Sequence, residues 1–99
     1  MSIDRKEIDF KGGVVTDDTL FITDLDDSVD YIDEDLLLVE YKNNYSVDVS
    51  FHEGLNNLSV NVIFESDWEH PVYRKVIALN GKKELLESIK EAIDIAVKA

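Results

Sequence analysis

Two neighbouring stretches, YSVDVSFH (45–52) and LSVNVIFE (58–65), alternate apolar and polar residues with a period of two. Successive side chains of a strand point to opposite faces, so this period dictates strand rather than helix. Tyr45, Val47, Val49 and Phe51 fall on one face of the first stretch, and Leu58, Val60, Val62 and Phe64 on one face of the second. The other faces carry Ser46, Asp48, Ser50 and His52, then Ser59, Asn61 and Glu65. One apolar and one polar face is the pattern of half-buried antiparallel strands with one face toward water. EGLNN (53–57) reads as the loop of a hairpin between them.

The flanking segments extend the sheet. LLLVEY (36–41) is expected to be a strand that turns through Lys42, Asn43 and Asn44 into Tyr45. VYRKVIAL (72–79) reads as another, entered after Pro71, which cannot donate to a central ladder. TLFIT (19–23) is expected to add a strand, and IDF (8–10) to begin the sheet, with Gly12 and Gly13 turning the chain between them.

At the end of the chain the period changes to that of a helix. Leu85, Leu86, Ile89, Ala92, Ile93, Ala96 and Val97 share one stripe, while Glu84, Glu87, Lys90, Glu91, Asp94 and Lys98 lie opposite. Asn80 or Gly81 suits the N-cap. The stripe needs an apolar surface, and one face of the sheet supplies it. The expected architecture is a single α+β domain over 1–99, an antiparallel sheet of about five strands with a C-terminal amphipathic helix packed on one face.

Charge is distributed unevenly. The chain carries a net −12 over 99 residues, yet residues 12–73 hold fifteen acids against one base, Lys42, whereas residues 74–99 hold six bases and four acids. A field of this sign repels nucleic acid and anionic membranes and attracts basic proteins or cations. The chain contains no cysteine, which excludes disulfides and thiolate zinc sites. MSIDRKEIDF lacks the apolar run of a signal peptide, and no apolar segment nears the ~20 residues of a membrane span. A cytoplasmic protein is expected.

The negative charge is densest in DLDDSVDYIDED (24–35), where seven of twelve residues are acidic. Leu25, Val29, Ile32 and Leu36 recur at helical spacing, and Thr23 or Asp24 would cap such a helix. The poor helix propensity of Asp, and acids near the C-terminal end, favour an irregular loop instead. Both readings stay open. A helix would place one charge per ~2.6 Å, near the one per ~1.7 Å of duplex DNA.

A calcium loop of the EF-hand type needs Gly at its sixth position and Glu at its twelfth. Counted from Asp24, those positions are Val29 and Asp35. His52–Glu53 and Glu69–His70 offer imidazole beside carboxylate, but nothing in their spacing brings them together. No HExxH, phosphate-binding glycine loop or nucleophile elbow is present, and Ser50 lies on a strand with no evident base. No catalytic residue, metal or cofactor is therefore assigned, and an enzyme is not expected.

Trp68, the single tryptophan, lies in SDWEHP (66–71). It either folds back over the edge of the core or stands out as an aromatic anchor between Asp67 and Glu69. The candidate partner-binding residues are Asp24, Asp26, Asp27, Asp30, Tyr31, Asp33, Glu34, Asp35, Asp67, Trp68 and Glu69. Glu40, Asp48 and Glu65, expected to face solvent from the strands, would extend that surface, and Tyr41 would add aromatic area.

In size, lack of cysteine, antiparallel sheet with a terminal helix, and the acidic block from Asp24 to Asp35, the chain resembles the small acidic immunity proteins of bacterial nuclease toxins. These include the immunity proteins of contact-dependent inhibition systems. The resemblance lies in overall character and implies a one-to-one complex that neutralises a basic toxin domain. Phage-encoded acidic inhibitors of DNA-binding proteins look similar, and a calcium- or metal-responsive domain is the alternative from another class.

Overall fold

The computed structural model describes residues 3–18, 20, 35–52, 57–78 and 81–98. Its strands are β1 (Val14–Asp17), β2 (Asp35–Glu40), β3 (Tyr45–His52), β4 (Asn57–Phe64) and β5 (Tyr73–Ala78), followed by the helix α1 (Lys82–Lys98). The strands form one antiparallel sheet in the order β1-β2-β3-β4-β5, each beside its neighbour in sequence. The fold is α+β, with the helix on one face.

Register follows from the alternation. Val47 sits opposite Val62, Val49 opposite Val60 and Phe51 opposite Leu58, while Leu37 and Val39 of β2 pair with Val49 and Val47. These side chains and Ile77 are all buried and meet Leu85, Ile89, Ala92, Ile93 and Ala96 of α1 in a single core. The helix starts where Leu85 N–H donates to the Gly81 carbonyl at 2.8 Å. Val97, assigned to the apolar stripe, is 41% exposed, because the stripe drifts off the sheet in the last turn. Ser88 takes a buried place instead.

Three expectations change. Residues 8–10 do not begin the sheet. A short 3₁₀ turn, Arg5–Glu7, precedes them, closed by a capping box in which Lys6 N–H donates to Asp4 and Asp4 N–H donates to Glu7. The segment then runs beside α1, tied by Lys82–Glu7 and Lys11–Asp94 ion pairs, with Ile3 buried and Ile8 and Phe10 packed on the core. Side-chain burial against the helix decides here, and three residues are too few to hold a ladder against it.

The first strand is instead Val14–Asp17, which follows the turn at Lys11–Gly12 where both residues have positive φ. Gly13 sits so close to β2 that a Cβ would lie 2.6 Å from Val39 Cγ1 and Tyr41 Cζ. Of TLFIT, Leu20 is fully buried in the core, and Thr19 and 21–23 lie outside the described residues.

The polar face is the third change. Asp48 is not solvent-facing: it is 2% exposed, and Ser59 and Asn61 beside it are buried too. Ser50 Oγ donates to Asp48 Oδ2 at 2.7 Å, Asn61 Nδ2 donates to the same oxygen at 3.0 Å and to Ser59 Oγ at 3.1 Å. His52 Nε2 lies 2.8 Å from Ser59 Oγ and continues the chain. Alternation identifies which residues share a face, but a polar face linked by its own hydrogen bonds tolerates burial.

Candidate functional site

One end of the sheet gathers the exposed aromatic and acidic groups. There the β2–β3 turn lies against the β4–β5 turn, with Glu65 N–H donating to the Asn44 carbonyl at 2.9 Å. The β4–β5 connection opens with a tight turn in which Asp67 N–H donates to the Phe64 carbonyl at 3.1 Å. Its two central residues, Glu65 and Ser66, have φ of 53° and 62°. Both signs positive is the type I′ pattern, which matches the twist of a hairpin but favours Asn and Gly. Glu and Ser hold it at a steric cost.

Beyond this turn the chain makes a short excursion before returning to the sheet. Trp68 N–H donates to the Ser66 carbonyl, His70 Nδ1 lies 3.2 Å from Asp67 Oδ1, and Val72 N–H donates to the Val62 carbonyl. Trp68 is 50% exposed, so it does not fold fully back over the core edge. Asp67, Glu69 and His70 around it are exposed as well, with Val72 and Phe64 adding apolar surface. Phe64 rests on Tyr45 with ring centroids 4.6 Å apart.

A groove of about 420 Å³ adjoins the turn, lined by Glu40, Tyr41, Asn44, Tyr45, Ser46, Glu65 and Ser66. Glu40 and Glu65 are exposed at it, as the strand pattern predicted. Tyr41 donates its hydroxyl to the Phe10 carbonyl at 2.8 Å, and burial, with the charge of Asp9 in addition, pushes that hydroxyl up to about 12. The groove thus carries two carboxylates, Glu40 and Glu65, with two tyrosines, and exposed Asp67, Trp68 and Glu69 follow its Ser66 in the chain. This composition suits a cationic protein surface, since aromatics supply contact area and carboxylates accept from Lys and Arg. A second groove of about 420 Å³, between residues 7–11 and α1, has charges of both signs and selects neither.

Of the acidic block, Asp24, Asp26, Asp27, Asp30, Tyr31, Asp33 and Glu34 lie outside the described residues. The helix-or-loop question and the calcium reading fall there too. Asp35 opens β2, its backbone paired with Ser50. Asp35, which closes the block, pairs with Ser50 toward the His52 end of β3, whereas Asp67, Trp68 and Glu69 follow Phe64, which pairs with Tyr45 at the other end. The two halves of the expected surface are thus attached at points five residues apart along β3, roughly 17 Å.

His52 and His70 likewise sit at opposite ends of the β3–β4 hairpin, and among the described residues no three His, Asp or Glu side chains come together as metal ligands. The His52–Ser59 contact went unforeseen, since only their shared face, at residues opposite Asn57 and Ser50, would have signalled it. Ser59 is 1% exposed and already bonded on two sides, so its hydroxyl offers no open approach to a substrate carbonyl.

Among the described residues no helix is long and apolar enough to cross a membrane. Comparison with protein-family models, curated proteins and solved structures found no match.

Proposed function

We propose that this protein is an acidic inhibitor that binds a basic protein domain, of the immunity-protein kind, forming a one-to-one complex with a nuclease-type toxin. The observation that carries the reading is Trp68, half exposed between Asp67 and Glu69 just after the strained Glu65–Ser66 turn, whose residues line an acidic groove. Strain of this kind persists where a surrounding structure enforces it and gathers at binding sites. The excess of fourteen negative charges over residues 12–73 supports the sign of the partner. Such a partner's phosphate-binding groove would meet carboxylates in place of phosphates, and the acidic block Asp24 to Asp35 would add further carboxylates to the contact.

The test is to find whether a basic nuclease-type domain is encoded beside this protein's gene and to follow its association by stopped flow. Association is expected to slow steeply as salt rises. Trp68→Ala should weaken the complex by about 30-fold or more, the range of an interface hot spot. Charge reversal at Asp26, Asp27, Asp30 and Asp33 should slow association while leaving the fold intact. A complex indifferent to Trp68, Asp67 and Glu69 would move the site away from this turn, and no complex or inhibition at all would remove the proposal.

A further inference from the structure

The two edges of the sheet differ in kind. β1 has four residues, and its pairing with β2 shifts register between Val15 and Asp17. Short length and a bulge are devices that deter a foreign strand. β5 has six residues in unbroken register with β4, from Tyr73 to Ala78. Among the described residues no strand lies beyond it, so one row of its backbone donors and acceptors faces outward. Val76, near its middle, is 51% exposed, and Arg74, Lys75 and Ala78 are exposed with it.

Electrostatics narrows what can dock there. Residues 12–73 carry −14 and residues 74–99 carry +2, so a second copy of the chain is repelled across most of the surface and least at this edge. We propose that β5 is a self-association edge, where a second copy adds its own β5 antiparallel and joins the two sheets into one. This surface is separate from the acidic end assigned above.

Charge also selects the register. With a two-fold axis normal to the sheet, paired residues must share a face, so either Lys75 or Val76 lies on the axis. Lys75 opposite the partner's Lys75 places like charges in direct opposition, which destabilises a ladder. Val76 opposite the partner's Val76 joins the exposed apolar groups and sets Lys75 beside the partner's Ile77 and Arg74 beside the partner's Ala78. A lysine on an edge strand often deters pairing. Here Lys75 Nζ lies 3.9 Å from Glu84 Oε1, so its charge is drawn back toward α1.

Sedimentation equilibrium of the full chain, from about 1 µM to about 1 mM, spans weak self-association. A monomer–dimer equilibrium is expected that tightens as salt screens the net charge. Val76→Lys should raise its Kd at least about tenfold, whereas Val14→Lys on the other edge should leave it within about twofold. Circular dichroism checks that both variants fold. Hydrogen exchange on the unaltered protein gives an independent reading: amides of Tyr73–Ala78 should slow as concentration passes Kd. A monomer at every concentration, a dimer unaffected by Val76→Lys, or protection that spares β5 overturns the proposal.

Discussion

Replacing Glu65 and Ser66 by Asn and Gly tests whether the β4–β5 turn stores strain. Both residues have φ above 50°, where an L side chain costs roughly 1–2 kcal/mol through contact of Cβ with the backbone. Glycine at 66 removes that contact but returns roughly 0.5–1 kcal/mol to the unfolded chain as entropy. Asparagine at 65 tolerates the conformation and recovers part of the remainder. The net stabilisation works out at about 1–2 kcal/mol, or a Tm higher by roughly 4–16 °C for a domain of this size. Urea unfolding of the double variant and of each single variant measures it, with most of the gain expected from Ser66→Gly. No change, or a loss of stability, would refute the reasoning and show that the Glu65 and Ser66 side chains make contacts worth more than the strain. Glu65 lines the acidic groove, so the proposed function adds a second outcome: the double variant should be more stable yet bind more weakly, with Glu65→Asn carrying most of the loss.

Three further perturbations probe the core and the buried polar face. Asn61→Ala removes donors to Asp48 Oδ2 and Ser59 Oγ, and should cost about 2–4 kcal/mol, one bond being charge-assisted. A double-mutant cycle with Ser59→Ala should show coupling above about 0.5 kcal/mol, and strict additivity would deny that the residues form a network. Ile89→Ala empties a fully buried position between sheet and helix and should cost about 2–5 kcal/mol in urea unfolding. Tyr41 keeps its proton up to about 12 when folded, against 10.0 ordinarily, so the unfolded chain releases that proton first. Stability should be level below about pH 10 on this account and fall as pH rises toward 12. Comparing alkaline melting curves with Tyr41→Phe isolates the effect, at the expense of the bond to the Phe10 carbonyl.

Alternation and helical periodicity were enough to place four strands and the helix within a residue or so, because side-chain period and burial share one cause there. β3 matches YSVDVSFH at both ends, and α1 spans KKELLESIKEAIDIAVK. The failures have other causes. VVTD at 14–17 is too short to show a period, and its strand character depends on pairing with Val39 and Glu40 far along the chain. IDF at 8–10 has strand-like residues whose apolar side chains are used against α1 instead. Asp48 looked solvated because a lone carboxylate demands water, and only its spatial neighbours Ser50 and Asn61 remove that demand. Trp68 as a candidate was legible from its acidic neighbours. The Glu40–Glu65 groove near it was not, since it depends on two turns meeting.

The order of the strands has a kinetic consequence. Because β2, β3, β4 and β5 each pair with the next strand in sequence, this part of the sheet can grow hairpin by hairpin, and its short loops close at small entropic expense. The contact between Lys11 and Asp94, by contrast, spans 83 residues and cannot form until α1 is seated. The first eleven residues should therefore dock after the rate-limiting step, acting as a latch on a body already folded. Loss of Ile8 packing, by Ile8→Ala, should speed unfolding and leave the refolding arm of a chevron plot almost unmoved. Kinetic persistence of this protein would then reside in its opening residues, while its speed of folding belongs to the meander between β2 and β5.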